Sequence, residues 1–181
     1  MRSTAELGTD WIGDALEEYQ AGLTRYAMRF TGDLEKARDV VQDTFLQLCR
    51  QEPARVKGHL AQWLYTVCRN RALDVMRKES RMTVLHEEDG LMAVDQGQSP
   101  ARLVETREMV TGVLGVLNQL TSNQQEVIRL KFQDGLSYRE IGQVTGLSTS
   151  NVGFLIHTGI RKLRQKMASS EDQSRPIRRV K

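Results

Sequence analysis

The stretch SYREIGQVTGLSTSNVGFLIHTGIRKLRQK, residues 137–166, decides the fold of the C-terminal part of this chain. A short segment with helical spacing, Tyr138–Thr145, is followed by Gly146 and Leu147 and then by a longer segment, Ser148–Lys166. A short helix, a tight glycine turn and a second helix form a helix-turn-helix, which sets the N-terminal residues of its second helix in the major groove of DNA. The spacing therefore predicts this motif, with a generic helical hairpin as the alternative.

The residue types within the motif suit contact with duplex DNA. Hydroxyl and amide groups at the start of the second helix can pair with base edges, while a phenol and cations near the helix ends can hold phosphates. Thr149–Ile160 contains neither Lys nor Arg, so only His157 could carry positive charge there. The candidate DNA-binding residues of the motif are Tyr138, Arg139, Ser148, Thr149, Ser150, Asn151, His157 and Arg161.

A second basic segment, Trp63–Lys78, occurs far upstream of the helix-turn-helix. Cations for phosphates, an amide for a base edge and aromatic rings for stacking together suit partly opened DNA. For the rings, core packing is the favoured interpretation of Trp63, and core packing and stacking both stay open for Tyr65. Simple solvation is the alternative for the arginines. The candidate residues of this segment and of the preceding loop, Gln51–Gly58, are Arg55, Lys57, Arg69, Asn70, Arg71, Asp74, Arg77 and Lys78.

Composition limits the possible functions. The 181 residues are 39% hydrophobic and 6% aromatic, which favours two small helical domains over one large sheet. The formal net charge is only +3, but basic residues concentrate in 55–81 and 161–181, as expected of polyanion contacts. No metal-type spacing of Cys and His, phosphate-binding glycine loop or paired catalytic group is present. We therefore expect neither an enzyme nor a bound metal or cofactor.

The N-terminal part of the chain reads as a helical bundle over residues 1–81. Apolar residues recur every three or four positions from Leu16 to Phe30, and Gly32 and Asp33 then suit a helix stop and a new N-cap. The next helix, from Leu34 to about Arg50, should bury one face, and a third should run from His59 to about Arg81. The inward residues predicted for the second helix are Ala37, Val40, Val41, Thr44, Phe45 and Leu48.

The rest of the chain reads as a linker, a second helical domain and a tail. Residues 82–99 are acidic and lack periodicity, which predicts a flexible linker. Residues 100–167 predict a four-helix domain, whose first helix starts at Pro100 and whose second is capped by Ser122 and Gln125. Residues 168–181 form a basic tail that we expect to be disordered. The fold class is thus all-α, with two small helical domains, and Cys49 and Cys68 are expected to be buried thiols.

Three segments together resemble a known family. Asp39–Leu48 (DVVQDTFLQL), Trp63–Arg77 and Leu136–Ser148, in that order, resemble the two-domain bacterial sigma factors of the extracytoplasmic-function (ECF) group. The resemblance implies a promoter-specificity subunit that binds core RNA polymerase and promoter DNA. It implies that the first domain reads and helps open the −10 element, that the second domain reads the −35 element, and that an anti-sigma factor restrains the protein.

The resemblance also assigns the polymerase contact to one face of the second helix. Its candidate residues are Asp39, Gln42, Asp43 and Leu46. The chain from Arg81 to Ser99 can span at most about 60 Å when fully extended. Two promoter elements about one and a half helical turns apart on DNA are roughly 50 Å apart. The linker is therefore long enough for the two domains to bind both elements. One departure is the absence of Lys and Arg from Thr149–Ile160, where ECF recognition helices commonly carry several, and it predicts weak or unusual −35 readout.

Two other function classes remain open at this point. One is a free-standing helix-turn-helix regulator that binds DNA without polymerase, and the other is a helical adaptor that never touches DNA. The acidic face around Asp39 and Asp43, beside a basic helix, favours docking on a basic protein surface over dimerisation. The chain contains no apolar run of signal-peptide or membrane-span length, so we expect a cytoplasmic location without membrane insertion.

Overall fold

Helices make up the folded part of the chain in this computed structural model, which describes residues 4–88 and 120–173, with side chains over 11–81 and 120–167. No strand occurs within these ranges, and the chain divides into two compact units, one containing α1 to α4 and the other containing α5 and α7. The predicted all-α fold in two helical domains is confirmed. The helices are α1 (Thr4–Thr31), α2 (Leu34–Leu48), α3 (Pro53–Val56), α4 (Leu60–Glu88), α5 (Ser122–Phe132), α6 (Tyr138–Thr145) and α7 (Thr149–Gln173).

The core of the first unit lies where α1, α2 and α4 meet. Leu23 of α1, Leu48 of α2 and Leu64 of α4 are fully buried there. All six residues predicted to face inward from α2 are buried, so its helical periodicity identified the correct face. Burying such side chains removes apolar surface from water, and this burial is the main stabilisation available to a small bundle.

The turn between α1 and α2 forms as the sequence predicts. Gly32 has a φ of +65°, in the left-handed region that glycine adopts without a steric penalty. The Asp33 side chain accepts a hydrogen bond of 2.9 Å from the Lys36 amide and caps α2. The short connection makes the two helices packed neighbours.

Two helices extend beyond their predicted ends. α4 continues through Glu88 instead of ending near Arg81, and α7 continues through Gln173 instead of ending near Met167. Neither extension contains Gly or Pro, so no residue there stops the helical hydrogen-bond ladder. The predicted first helix of the second domain, the remainder of the acidic linker at 89–99 and tail residues 174–181 lie outside the described residues.

The connection between α2 and α4 is not wholly irregular. The loop predicted at Gln51–Gly58 contains the one-turn helix α3, which starts at Pro53, because proline suits the first helical position. Val56 of α3 is 2% exposed and anchors the connection in the core.

The two cysteines differ in environment. Cys68 is buried, and its desolvation raises the pKa of the thiol to about 12, partly opposed by a hydrogen bond with Thr44. Cys49 is exposed, because it follows the last residue of α2, and its predicted burial is wrong. Only Cys68 belongs to the core.

In the second unit, one predicted cap is shifted by a residue. The capping box of α5 is formed by Thr121 and Gln124 instead of Ser122 and Gln125. Gln124 is 5% exposed, and its amide also donates a hydrogen bond of 3.1 Å to the Thr158 hydroxyl of α7. Both registers fit the capping-box pattern locally, and this contact between helices selects the observed one.

The helix-turn-helix itself forms as predicted. The Ser137 hydroxyl accepts a hydrogen bond from the Glu140 amide, and the Glu140 carboxylate accepts one from the Ser137 amide. Hydrogen bonding of the Glu140 carboxylate to the side chain and then to the backbone amide of Ser137 lowers the pKa of that carboxyl. The Ser148 hydroxyl accepts one from the Asn151 amide at the start of α7. Gly146 has a φ of +76°, as the turn between the helices requires.

Two other glycines allow close packing in this unit. A Cβ on Gly142 of α6 would lie 2.7 Å from the backbone oxygen of Leu147, and a Cβ on Gly159 of α7 would lie 2.6 Å from Cδ1 of Ile128 in α5. Both distances are shorter than carbon contacts allow. Glycine at 142 therefore lets α6 lie against the turn that follows it, and glycine at 159 lets α7 pack closely on α5.

Gly142→Ala should destabilise the second unit by about 1–3 kcal/mol, because the added carbon meets backbone that cannot rotate away. Gly153→Ala is the matched control, since its Cβ would have an ordinary contact of 3.6 Å with the Tyr138 ring. That change should stabilise α7 by up to about 1 kcal/mol through helix propensity. Hydrogen exchange at the amides of α6 and α7 in the full chain measures both changes. Equal effects of the two substitutions would contradict the close approach at Gly142.

The thiol environments predict selective labelling of the native protein at pH 8. Cys49 should react rapidly with a thiol reagent, whereas Cys68, with a pKa of about 12, should react only after unfolding. Mass spectrometry should find one label in buffer and two in denaturant. The Cys49→Ser variant should take up none in buffer, and rapid labelling of that variant would show that Cys68 is accessible.

Candidate nucleic-acid interface

The predicted polymerase residues lie on the solvent side of α2. Asp39, Gln42 and Leu46 are exposed, Leu46 at 51%, and Asp43 is half-buried. The opposite side of α2 is the buried face described above. α2 thus uses one face for the core and leaves the other open to a partner.

An apolar groove of about 480 Å³ adjoins this open face, between α1 and α2. Ile12 and Leu16 of α1 line it opposite Gln42, Phe45 and Leu46 of α2. Leu16, which the sequence placed in the apolar stripe of α1, is 39% exposed there. Sequence analysis missed the two α1 residues as candidates, because periodicity assigns apolar positions to a face without saying how fully a neighbour covers them.

Part of the α2 face meets part of the basic helix α4. The Arg71 guanidinium of α4 contacts one carboxylate oxygen of Asp43 in α2, at 2.7 Å from Nη2 and 2.8 Å from Nε. Both side chains are about 40% exposed. Two residues assigned to different partners, polymerase and DNA, therefore bind each other, and a pair this exposed contributes at most about 1 kcal/mol to stability.

A polar groove of about 390 Å³ surrounds this pair. It brings together residues from the predicted polymerase set and from the predicted DNA set. It also adds residues that the sequence did not single out, namely Gln47, Arg50 and Val67. The signal for Arg50 was present, since it is a cation one turn after the exposed Leu46. The lining residues are Asp43, Leu46, Gln47, Arg50, Val67, Asn70, Arg71 and Asp74.

The remaining candidates of this unit lie along α3 and α4. Arg55 and Lys57 are exposed at the short helix, and Arg55 pairs with Glu52 at 3.0 Å. On α4, Asn70 and Lys78 are exposed, and Arg69 is half-buried. Arg77 and Asp74 are exposed and pair with each other at 2.9 Å. These local pairs are solvated, so a polyanion can compete for the cations.

The structure decides the role of the two aromatic residues upstream of these cations. Tyr65 is 2% exposed, and its ring contacts that of Tyr26 edge-on at a centroid distance of 5.3 Å. Of the two interpretations that the sequence left open for Tyr65, core packing is correct and stacking on an opened base is excluded, because the ring is part of the core. Trp63 is half-buried.

The helix-turn-helix presents its candidates together on the outer side of the second unit. Tyr138 at the start of α6 is 39% exposed, and Lys131 lies over its ring at 5.7 Å from the centroid. All the other candidates of the motif are exposed. They are Arg139, Ser148, Thr149, Ser150, Asn151, His157 and Arg161. Between Asn151 and His157 lies Phe154, which is 65% exposed and which sequence analysis did not count as a site residue.

Neither a metal-binding cluster nor a membrane-spanning helix is found among the described residues. Within 11–81 and 120–167, no group of three or more His, Cys, Asp or Glu side chains could hold a metal ion. In the same part of the chain, no helix has both the length and the apolar character to cross a membrane. The surfaces described above include the two grooves, the basic face of α4 and the outer face of the helix-turn-helix.

Comparison with known proteins matches the two units separately. The Sigma-70 region 2 family matches residues 15–82, and the Sigma-70, region 4 family matches residues 116–165. The RNA polymerase sigma factor YlaC of Bacillus subtilis is 29% identical, covering 92% of this chain and 97% of that protein. The ECF RNA polymerase sigma factor SigL of Mycobacterium tuberculosis is 32% identical, covering 82% of this chain and 84% of its own length.

A solved structure has the same fold. It is the sigma factor RpoE in complex with the anti-sigma factor NepR from Bartonella quintana, with a TM-score of 0.61 and 22% identity. The match covers 88% of this chain and 98% of that one.

Proposed function

Because this chain belongs to the ECF RNA polymerase sigma factors, we propose that it binds core RNA polymerase and directs it to specific promoters. The observation that carries the proposal is the combination, in one chain, of a region 2 unit with a partner-facing α2 and a region 4 unit with a helix-turn-helix. A free-standing regulator would need only the second unit to bind DNA. The protein supplies specificity in the cytoplasm, and catalysis belongs to the polymerase.

The polymerase contact is the open face of α2. Asp39 and Gln42 supply polar groups, and Leu46 supplies an apolar contact beside the groove that Leu16 borders. An interface needs an apolar centre that excludes water and a polar rim that fixes orientation, and this face offers both. Asp43, which binds Arg71, joins the polymerase contact to the adjacent DNA contact.

The −10 element is bound along α3 and α4. Arg55, Lys57, Arg77 and Lys78 supply exposed charge for phosphates, and Asn70 supplies an amide for a base edge. Since Tyr65 is buried, the half-buried Trp63 is the remaining aromatic candidate for stacking on a base of the opened strand. The bound DNA strand therefore passes over the outer surface of α4, next to the groove around Arg71.

The −35 element is bound by α6 and α7. Arg139 and Arg161 hold phosphates, and Tyr138 and His157 extend the same outer surface. Phosphate contacts set the position of a helix-turn-helix, and groups at the start of its second helix read bases. Because Ser148 already caps α7, Thr149, Ser150 and Asn151 are the freer base-reading groups.

An anti-sigma factor is the third expected partner. The solved relative from Bartonella quintana is bound to one. For this chain, the exposed apolar groove between α1 and α2 adjoins the polymerase face, so a protein seated there would compete with polymerase. We propose restraint by such a competitor.

Run-off transcription from genomic DNA fragments tests the proposal. Purified core polymerase without its own specificity subunit should initiate at discrete sites only when this protein is added. In gel shifts the protein alone should retain little DNA, and it should retain these fragments strongly with core polymerase. Equal retention without polymerase would favour a free-standing regulator, and no initiation on any fragment would overturn the proposal.

Arg77→Gln should lower initiation on the order of tenfold, as expected for loss of a hydrogen bond to a charged group. His157→Gln should lower it only about twofold, because the glutamine amide keeps a hydrogen-bond donor at that position. Arg25→Gln, at an exposed position of α1 outside the proposed contacts, is the control and should leave initiation unchanged. Run-off assays with a fixed amount of core polymerase measure all three, and equal losses for Arg77 and His157 would contradict the assignment.

A further inference from the structure

Phe154 occupies an unusual place in α7. At 65% exposure, it is the most exposed large apolar side chain in the part of the chain with described side chains. The inner face of the same helix is formed by Val152, Ile156 and Gly159, which are buried. At about 100° per residue, Phe154 points roughly opposite to them. It therefore stands at the centre of the outward face.

The surroundings of Phe154 on that face are polar. Asn151, His157 and Arg161, one turn before it and one and two turns after it, are exposed. Thr149–Met167 contains no Asp or Glu, while the end of this stretch carries several cations. A face with one isolated ring among polar and basic groups fits a polyanion better than an apolar protein surface, which would call for a continuous apolar patch.

The backbone beneath Phe154 is held in place. The Thr158 hydroxyl donates to the backbone oxygen of Phe154 at 2.8 Å, and it accepts the hydrogen bond from Gln124 of α5. At the next residue, Gly159 lets α7 pack closely on Ile128 of α5. The ring is thus presented from a helix turn that two contacts with α5 keep in register.

The major groove offers one apolar group to such a ring. It is the 5-methyl group of thymine, which pairs with apolar side chains in direct readout, whereas Lys and Arg pair with guanine. Phe154 is the sixth residue of α7, about 7.5 Å along the helix axis from Thr149. This is within the part of a recognition helix that reaches base edges.

We propose that Phe154 is a specificity-determining residue that contacts the methyl group of a thymine in the −35 element. The inference rests on the proposed function, because it assumes that α7 faces promoter DNA. The ring takes the part that Lys or Arg would otherwise play in the first half of the helix, and Asn151, one turn earlier, lies beside it to bond the adjacent base. Specificity at this position then comes from apolar contact and depends little on salt.

Deoxyuridine scanning of a promoter used by the holoenzyme tests this proposal. Each thymine upstream of the start site is replaced in turn by deoxyuridine, which removes only the 5-methyl group. One replacement in the −35 region should weaken promoter binding by the wild-type holoenzyme about fourfold, as expected for loss of one buried methyl group. With the Phe154→Ala holoenzyme, the same replacement should have no effect, while the unmodified promoter binds more weakly.

Phe132→Ala is the matched control, since Phe132 is 63% exposed at the end of α5, outside the proposed DNA contacts. This variant should keep the full dependence on the methyl group. If no deoxyuridine changes binding, or if the effect persists in Phe154→Ala, the proposal is overturned while transcription still supports the proposed function. A Phe154→Ala variant that binds core polymerase more weakly, with unchanged methyl dependence, would place the ring at a protein interface and also overturn it. If no DNA fragment supports initiation by core polymerase with this protein, the proposed function itself is overturned.

Discussion

The outward face of α7 depends on how closely its inner face approaches the helices beneath it. Glycine at 142 and 159 lets the turn and α7 come within distances that a Cβ would block, at 2.7 Å from Leu147 and 2.6 Å from Ile128. The hydrogen bond from Gln124 of α5 to Thr158 of α7 also holds α7 against α5. Because these contacts fix the inner face of α7, they also fix the orientation of its outer face, which is the face proposed to contact DNA.

In the first unit, the orientation of an outward face is set by the burial of the opposite face of the same helix. The inner face of α2 is apolar apart from Thr44, whose hydroxyl donates to the backbone oxygen of Val40, so the outer face is free to carry residues for a partner. The ion pair of Asp43 and Arg71 then connects this outer face to α4. A partner on the proposed polymerase face would lie beside Asp43, which is paired with Arg71 of the proposed DNA-binding helix, so the two proposed interfaces meet at one ion pair.

Much of the fold could be predicted from the sequence because it follows from local rules. The burial of one face of α2, the caps at Asp33, Ser137 and Ser148, and the turn at Gly146 all depend on residues within one or two helical turns of each other. The predicted helix-turn-helix is confirmed for the same reason. Helix ends were less predictable, since the segment after Arg81 lacks periodicity yet also lacks any residue that stops a helix.

The parts that could not be predicted depend on contacts between distant residues. The sequence allows a capping box that starts at either Thr121 or Ser122, and the hydrogen bond of Gln124 with α7 favours the one that starts at Thr121. The sequence leaves both stacking and core packing open for Tyr65, and its ring contact with Tyr26 shows that it belongs to the core. The spacing that put Arg71 on a basic helix could not show that Asp43 binds it. The roles assigned to the individual polymerase-binding and DNA-binding residues remain proposals, because exposure and charge say which groups are available and not which partner uses them.

The most direct measurement of the central claim is permanganate footprinting of thymines, together with nuclease protection, on a promoter found by run-off transcription. The account predicts that core polymerase and this protein together expose reactive thymines near the start site and protect duplex about one and a half turns upstream, while neither protein alone does so. The same protection by this protein without polymerase, or a duplex that stays closed with both present, would contradict it.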